Sequence, residues 1–172
     1  ICVAVCFISA FFISGNVNTD YTSTASKFEQ TLRNKKDHAT VELEELAEKS
    51  TKYTYKDLFN EKPDYYKSLF DREGFVFLIY ENATLCFWTD NTVAIENHPT
   101  QNLFDKPIIK LLNGWFHVIK LTSGRKNFVA LILLKKEYSY QNKYLLSGFQ
   151  NEFNLNSEIK IKIDPVKSKQ KH

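Results

Sequence analysis

The sequence has few of the residues that bring cross-linking or phosphate-binding chemistry. Its 172 residues include three cysteines, five glycines, four prolines and no methionine. Cys2 and Cys6 lie in an apolar stretch at the start, so Cys86 is alone in the remainder and an internal disulfide framework is excluded. The glycines are isolated from one another, which excludes a glycine-rich loop that cradles phosphate.

Catalytic and metal-binding motifs are missing as well. The chain has no GxSxG, HExxH or CxxC, and His38, His98 and His117 are far apart in sequence. We therefore expect no catalysis, no metal ion and no cofactor in this stretch of chain. The net charge of +3 is small and the lysines are dispersed or lie in a basic tail at 165–172, so nucleic acid is not an expected partner.

What the sequence does have is an apolar run at its start, ICVAVCFISAFFIS at residues 1–14. A full membrane span needs about 20 apolar residues, so we interpret residues 1–16 as the end of a transmembrane segment or as a signal-peptide core. No Lys or Arg occurs before Lys27. Because cytoplasmic flanks of membrane segments attract cations, the sequence predicts that the chain after this run lies outside the cytoplasmic membrane.

A long membrane-proximal helix is predicted at residues 17–52. Its apolar residues recur about every 3.6 positions, and Lys35 interrupts the stripe. The stripe consists of Tyr21, Ala25, Phe28, Leu32, Ala39, Leu43 and Leu46. Such a stripe can pack on its own domain or on the same helix of a second chain, and the sequence leaves both open.

Residues 53–164 are predicted to form an α+β domain, with short helices beside a mainly antiparallel sheet. The helical turns are expected at Tyr55–Asn60 and Asp64–Phe70, with Asp64 as a candidate N-cap. Alternating aromatic and branched residues on either side of Asn82-Ala83 predict a hairpin of Phe75–Glu81 and Thr84–Thr89.

The second half of the domain is predicted to contain another hairpin. A third short strand at Thr92–Glu96 and an irregular or partly helical crossover at Asn97–Leu112 lead to it. The hairpin joins Trp115–Thr122 to Asn127–Lys136 through Ser123-Gly124-Arg125-Lys126. We expect Lys143–Phe153 to be helical and Glu158–Asp164 to be a half-buried strand.

Several residues are candidates for ligand binding. His117 shares a strand face with Trp115, Ile119 and Leu121, where an imidazole can bind a ligand or sense pH, although a structural histidine is the alternative. Two strands bring other polar and aromatic groups together: Trp88, Asp90 and Cys86 on one face of a strand, with Tyr80 beside them. A core tryptophan beside a turn aspartate is the alternative there.

Three further candidates come from the second hairpin. Arg125 in its turn can clamp a carboxylate, and the alternative is a solvated side chain. Tyr138 and Tyr140 follow the second strand at alternating positions, where they line the mouth of a cavity or pack on the long helix. The candidate ligand set is therefore Tyr80, Trp88, Asp90, Trp115, His117, Arg125, Tyr138 and Tyr140.

The order of elements resembles a known family. A membrane segment, an outgoing helix, a hairpin, a crossover and a second hairpin resemble the extracytoplasmic PAS-like (Cache/PDC-type) sensor domains of bacterial receptors. More specifically, Gly114-Trp115-Phe116, the strand Phe128–Lys136 and the tract Glu137–Phe153 resemble the input region of membrane histidine kinases from the Bacteroidetes group.

This resemblance implies a role in two-component signalling at the inner membrane. The domain would lie on the periplasmic side, be anchored through residues 1–14, bind a small ligand or a periplasmic protein, and act as a homodimer. Its signal would pass through the helix residues Phe28, Leu32, Ala39, Leu43 and Leu46. ATP and Mg²⁺ would belong to a kinase portion outside this chain, so this fragment itself is expected not to be an enzyme.

Two other classes stay open. The chain can be the ligand domain of a chemoreceptor or another receptor, or a membrane-anchored adhesion or assembly module that uses its sheet edge for protein contact. A sensor predicts a second membrane span soon after this stretch of chain, whereas a singly anchored adhesin predicts none.

Overall fold

The computed structural model describes residues 21–99, 102–138 and 146–162. Three helices come first: α1 Tyr21–Lys49, α2 Tyr55–Glu61 and α3 Pro63–Glu73. Six strands follow: β1 Phe75–Glu81, β2 Thr84–Trp88, β3 Ile108–Leu111, β4 Gly114–Ser123, β5 Lys126–Lys136 and β6 Gly148–Phe149. Short 3₁₀ turns lie at Leu103–Asp105 and Asn151–Phe153. The predicted α+β class is confirmed.

The strands form one antiparallel sheet in the order β2-β1-β5-β4-β3, and β6 pairs with the end of β5. Both predicted hairpins are confirmed. Asn82 and Ala83 join β1 to β2 with φ values of 51° and 62°, the left-handed backbone that a tight hairpin turn requires. Gly124, with φ of 59°, provides the same conformation between β4 and β5.

Helix α1 lies on one face of the sheet and runs antiparallel to β5. At its end, the ammonium of Lys126, the first residue of β5, donates to the Ser50 carbonyl at 2.9 Å. Towards its start, the Phe28 ring lies 4.7 Å from the ring of Phe153, which follows the strand paired with the end of β5. The start of α1 therefore lies at the end of the sheet where β5 ends.

Hydrophobic cores form on both faces of the sheet. The helix-side core joins the helices to alternate residues of β1 and β5: Ala39, Leu43, Leu46, Leu58, Tyr66, Leu69, Phe75, Phe77, Ile79, Phe87, Phe128, Ala130 and Ile132. The opposite core lies under the crossover between β2 and β3: Phe70, Val76, Leu78, Tyr80, Val93, Ile109, Phe116, Val118, Val129, Leu131 and Leu133. Strand β5 supplies both cores and is buried along almost its whole length, as its apolar sequence predicts.

The apolar stripe of α1 packs on its own domain in the C-terminal half of the helix. Ala39, Leu43 and Leu46 are buried there, with at most 2% of their surface exposed. Phe28 and Leu32 are only half-buried. The stripe was expected to pack either on its own domain or on a second chain. In the second half of the helix it packs on its own domain.

The predicted strand at Thr92–Glu96 is wrong. Val93 is buried and Ile95 half-buried in the opposite core, which explains their alternation, but the backbone pairs with no strand. The edge strand instead is β3, within the predicted crossover, where Ile109 pairs with Phe116 of β4.

Two predictions near the C-terminus also need correction. Residues 146–153 hold β6 and a 3₁₀ turn instead of a helix. Residues 158–162 form no strand. The backbone there bends around the buried ammonium of Lys135, which donates to the carbonyls of Ser157 at 2.8 Å and Ile159 at 2.5 Å. The alternating isoleucines therefore lie in a segment whose backbone is bound by a lysine side chain and not by a neighbouring strand.

Asp64 is not the N-cap of its helix. Pro63 is the first residue of α3, where its missing N–H is tolerated, and Lys62 is the capping position without a side-chain bond. A side-chain cap is found instead on α2, where Thr54 Oγ1 accepts from the Asp57 backbone at 3.2 Å. Gly74 ends α3 in the left-handed conformation, as expected of a C-terminal glycine.

Several predictions lie outside the described residues. They are the apolar segment 1–16, helix residues 17–20, residues 143–145 of the predicted helix, residues 163–164 of the predicted strand and the tail 165–172. The side chain of Tyr21 and the whole of Tyr140 are also outside them. Among the described residues, no helix has both the length and the apolar character needed to cross a membrane.

Candidate functional site

The helix-side row of β4 consists of Trp115, His117, Ile119 and Leu121. The strand alternates so that Phe116 and Val118 are buried in the opposite core, while these four residues lie on the helix-side face and are half-buried. Their shared face is as predicted. Ile119 and Leu121 pack against the helix-side core. The row is therefore apolar and packed at Ile119 and Leu121, and more polar at His117 and Trp115.

His117 is the most unusual member of the row. Burial, assisted by the positive charge of Lys36 on α1, lowers the pKa of its imidazole from 6.5 to about 4. The ring is therefore neutral near pH 7, with one N–H donor and one acceptor nitrogen. No described residue forms a hydrogen bond with it. A half-buried imidazole whose two polar atoms find no partner in the described chain can bind an external group.

Trp115 is fixed by two charged neighbours. Its indole N–H donates to Glu137 Oε2 at 2.9 Å, and Lys110 binds the other carboxylate oxygen. The Lys110 ammonium also lies 5.3 Å from the centre of the indole ring. Hydrogen bonds from Lys110 and then Trp115 lower the pKa of Glu137, so its charge persists and holds the indole in place. Sequence reasoning missed both charged partners, which no motif marks.

The chemistry of this row is that of binding. A neutral imidazole and an indole edge lie beside aliphatic side chains, with the ammonium of Lys36 close enough to affect the imidazole. Ligand sites commonly combine mostly apolar walls with a few such polar anchors. The row fits a small molecule that has an apolar part and a hydrogen-bonding or anionic group. Within the described ranges, no group of three His, Cys, Asp or Glu residues is arranged to hold a metal ion.

The predicted group around Tyr80 does not converge on a common point. Tyr80 is buried in the opposite core, where its hydroxyl donates to the Glu96 carbonyl at 3.2 Å and its ring lies 5.6 Å from that of Phe104. Trp88 is 46% exposed, and its indole N–H donates to Asn91 Oδ1 at 2.5 Å.

Asp90 and Cys86 also have local roles. Asp90 Oδ1 accepts from the backbone of Thr92 at 2.7 Å, as a turn aspartate does. Cys86 is the extra residue of a β-bulge, since Ile79 pairs with Phe87 while Tyr80 pairs with Leu85. The bulge breaks the strict alternation on which the shared face of Cys86 and Trp88 was predicted.

The remaining candidates are dispersed. Arg125 is exposed in the β4–β5 turn, and its carbonyl accepts from the Asn82 backbone at 3.2 Å. Tyr138 is half-buried just after β5, and its backbone N–H donates to Ser147 Oγ at 3.2 Å. Tyr140 is outside the described residues. Of the eight candidates, Trp115 and His117 are thus neighbours on one strand face.

Lys35 is a second residue whose role the sequence did not reveal. It is 4% exposed, and its ammonium donates to the Glu73 carbonyl at 2.7 Å and to Glu152 Oε1 at 2.6 Å. The Gln150 amide adds bonds to the Arg72 carbonyl at 3.2 Å and to Glu152 at 3.4 Å. These contacts join α1 to the end of α3 and to the turn after β6. The only sign of this role in the sequence was that a lysine interrupts the apolar stripe of the helix.

Comparison with protein families, with curated proteins and with solved structures found no match to this chain.

Proposed function

We propose that this chain is the signal-input region of a membrane receptor, in which a ligand binds on the helix-side row of β4 and α1 carries the signal. The observation that carries the proposal is the position of His117 on the helix-side face of β4. It pairs with Ile132 of the helix-side core, and the charge of Lys36 on α1 is close enough to help lower the pKa of its imidazole. A ligand there meets α1 itself, so its affinity depends on the position of the helix. Such differential affinity is what ligand-driven signalling requires.

The order of elements supports a PAS-like sensor of the histidine-kinase type. A long helix, a hairpin, a crossover and a second hairpin occur in the order on which the resemblance rests, and β1 and β5 join the two hairpins side by side. On this proposal, residues 1–14 lie in the cytoplasmic membrane and the described domain lies outside it. Its parent acts as a homodimer with a kinase portion that uses ATP and Mg²⁺.

The first experiment tests the kinase assignment. The full-length gene product, in membranes, is incubated with labelled ATP. Acid-labile and alkali-stable label on the protein supports a histidine kinase. No label overturns the kinase assignment. A second membrane span after this stretch of chain then favours a chemoreceptor or another receptor, and a single anchor favours an adhesion module.

A pair of lysine substitutions tests whether α1 carries the signal. Leu32→Lys breaks the stripe in the half of the helix that is only half-buried, whereas Val41→Lys places the same charge at a position that is 62% exposed. We expect Leu32→Lys to change basal autophosphorylation of the full-length protein by about fivefold or more, within the usual range of coupling free energies. Val41→Lys is expected to leave it unchanged.

Circular dichroism of both variants checks that the sheet domain still folds. If Leu32→Lys folds and its output equals that of Val41→Lys, α1 is a passive stalk and the signalling part of the proposal is wrong.

A further inference from the structure

The two most exposed large apolar side chains of the described residues lie at the same end of the sheet. Leu112 is 84% exposed and Leu146 64%. Each leucine comes two residues before a glycine, and the two glycines pair on either side of the same residue: Gly114 with Lys136, and Lys136 with Gly148. Since neighbouring strands are about 4.8 Å apart, these glycines are separated by about 10 Å. Isolated exposed leucines are ordinary, but here two of them lie at one rim of the sheet.

This leucine edge, Leu112 with Leu146, is also the end of the molecule at which α1 begins. The helix runs antiparallel to β5, with Phe28 near the end of that strand and Ser50 near its start. The apolar run 1–14 precedes α1 by only six residues, 15–20. Six residues span at most about 20 Å even when fully extended. A membrane that holds the apolar run is therefore within short reach of the start of α1.

Part of the negative charge at this end is neutralised by lysines. Two acidic side chains of the region are each paired with a lysine: Glu137 with Lys110, and Glu152 with Lys35. Pairing reduces the repulsion that carboxylates experience near the negative surface of an anionic bilayer.

We infer that the leucine edge rests on the lipid surface of the membrane that holds residues 1–14. The inference rests on the proposed function, because it needs the apolar run to be in the bilayer. Lipid contact at the edge adds a second point of attachment beside the start of α1. The domain is then held upright in one orientation, and a displacement of α1 relative to the sheet becomes a displacement relative to the membrane.

Spin labels measure this contact directly. The full chain is prepared in a Cys2→Ala, Cys6→Ala, Cys86→Ala background and reconstituted in vesicles of phosphatidylethanolamine and phosphatidylglycerol. A nitroxide is attached to Leu112→Cys, to Leu146→Cys, or to Tyr53→Cys as the matched control. Tyr53 is 55% exposed and follows the other end of α1.

We expect labels at 112 and 146 to collide with lipid-soluble oxygen more often than with a water-soluble nickel chelate. The label at 53 is expected to show the opposite preference. If the chain floats with the vesicles while all three labels are equally accessible to the nickel chelate, the lipid contact is overturned and the membrane anchor stands. If the chain does not float with the vesicles, the anchor and the lipid contact both fail.

A second copy of the chain is the other possible occupant of the edge. Dipolar broadening between labels at 112, together with aqueous accessibility in diluted samples, overturns lipid contact in favour of a homodimer contact.

Discussion

The two halves of α1 have different surroundings, although one apolar stripe runs through both. In the second half, Ala39, Leu43 and Leu46 are buried against the sheet. The first half has its stripe residues Phe28 and Leu32 only half-buried, and the Phe28 ring meets the turn after β6 instead of the sheet centre.

Ion pairs add to this difference between the two halves of α1. Lys62 binds Glu45 at 3.0 Å and Glu42 at 3.5 Å, which ties the second half of α1 to the start of α3. Lys49 binds Glu45 at 2.7 Å and also pairs with Glu61 at the end of α2. Periodicity alone therefore identifies the buried face of a helix but not how firmly that face is held. The second half of α1 belongs to the domain core, and the first half is only partly covered by the domain.

Leu43→Ala should have the largest effect on stability. The side chain is 1% exposed, so its removal leaves a cavity in the helix-side core. We expect the free energy of unfolding to fall by about 2–5 kcal/mol. The matched change Leu32→Ala, in the first half of the helix, should lower it by about 1 kcal/mol or less, since part of that side chain is already in water. Urea denaturation followed by circular dichroism measures both, and equal losses would mean that the two halves are held alike.

Lys35→Met tests the boundary between the two halves. Methionine keeps an unbranched apolar side chain but removes the ammonium, which lies 4.9 Å from the centre of the Phe75 ring and binds Glu152 and the Glu73 carbonyl. We expect a loss of about 1–3 kcal/mol in the free energy of unfolding, as for a buried charged hydrogen bond with one partner removed.

A double-mutant cycle with Glu152→Gln isolates the ion pair itself. The loss in the double variant should be smaller than the sum of the two single losses by about 0.5 kcal/mol or more, because the residues are in direct contact. Strict additivity would show that Lys35 acts through packing and the Glu73 carbonyl alone.

The pH dependence of stability tests the burial of His117, next to this boundary. Its pKa is 6.5 in the unfolded chain and about 4 in the folded one. Between these values the unfolded state binds a proton that the folded state does not, so stability present above pH 6.5 is lost as the pH falls towards 4. The full shift corresponds to about 3 kcal/mol, and partial exposure of the ring makes the expected loss smaller.

His117→Phe is the matched variant for this measurement, because it keeps an aromatic ring and removes the titration. Urea midpoints at pH 7.5 and pH 4.5 should fall further for the wild type than for the variant. Identical falls in the two proteins would show that acid acts through other groups and that the imidazole is solvated.

Local chemistry explains which parts of the fold could be predicted. The hairpins follow from turn residues whose backbone is left-handed, Asn82-Ala83 and Gly124, placed between runs of alternating residues. Both the turn and the alternation can be read within a few positions. Strand β5 was predicted as central because its apolar residues leave no face for water.

Contacts between distant residues explain the rest. Val93 and Ile95 have the alternation of a strand because they face the opposite core, yet their backbone is not part of the sheet. Ile109 lies in a strand that was not predicted, because the nearby Pro107 is typical of irregular structure. Lys35 is explained by Glu152, a partner 117 residues later in the chain.

The candidate site was predicted in part. The shared face of Trp115 and His117 follows from strand alternation and is confirmed. Lys36 adds to the effect of burial on the imidazole, and Glu137 holds the indole; both depend on how α1 and the chain after β5 meet that face. No local pattern contains that information.

The pairing of Lys35 with Glu152 has a consequence for the order of events during synthesis. As the ribosome releases the chain, α1 and both hairpins are complete at Lys136, 16 residues before Glu152 emerges. Until then the ammonium of Lys35 has no carboxylate at this point, and folding that depends on contacts so far apart in sequence is slow. The first half of α1 should therefore be fixed to the domain only when the last turn arrives, after the second half has packed on the sheet.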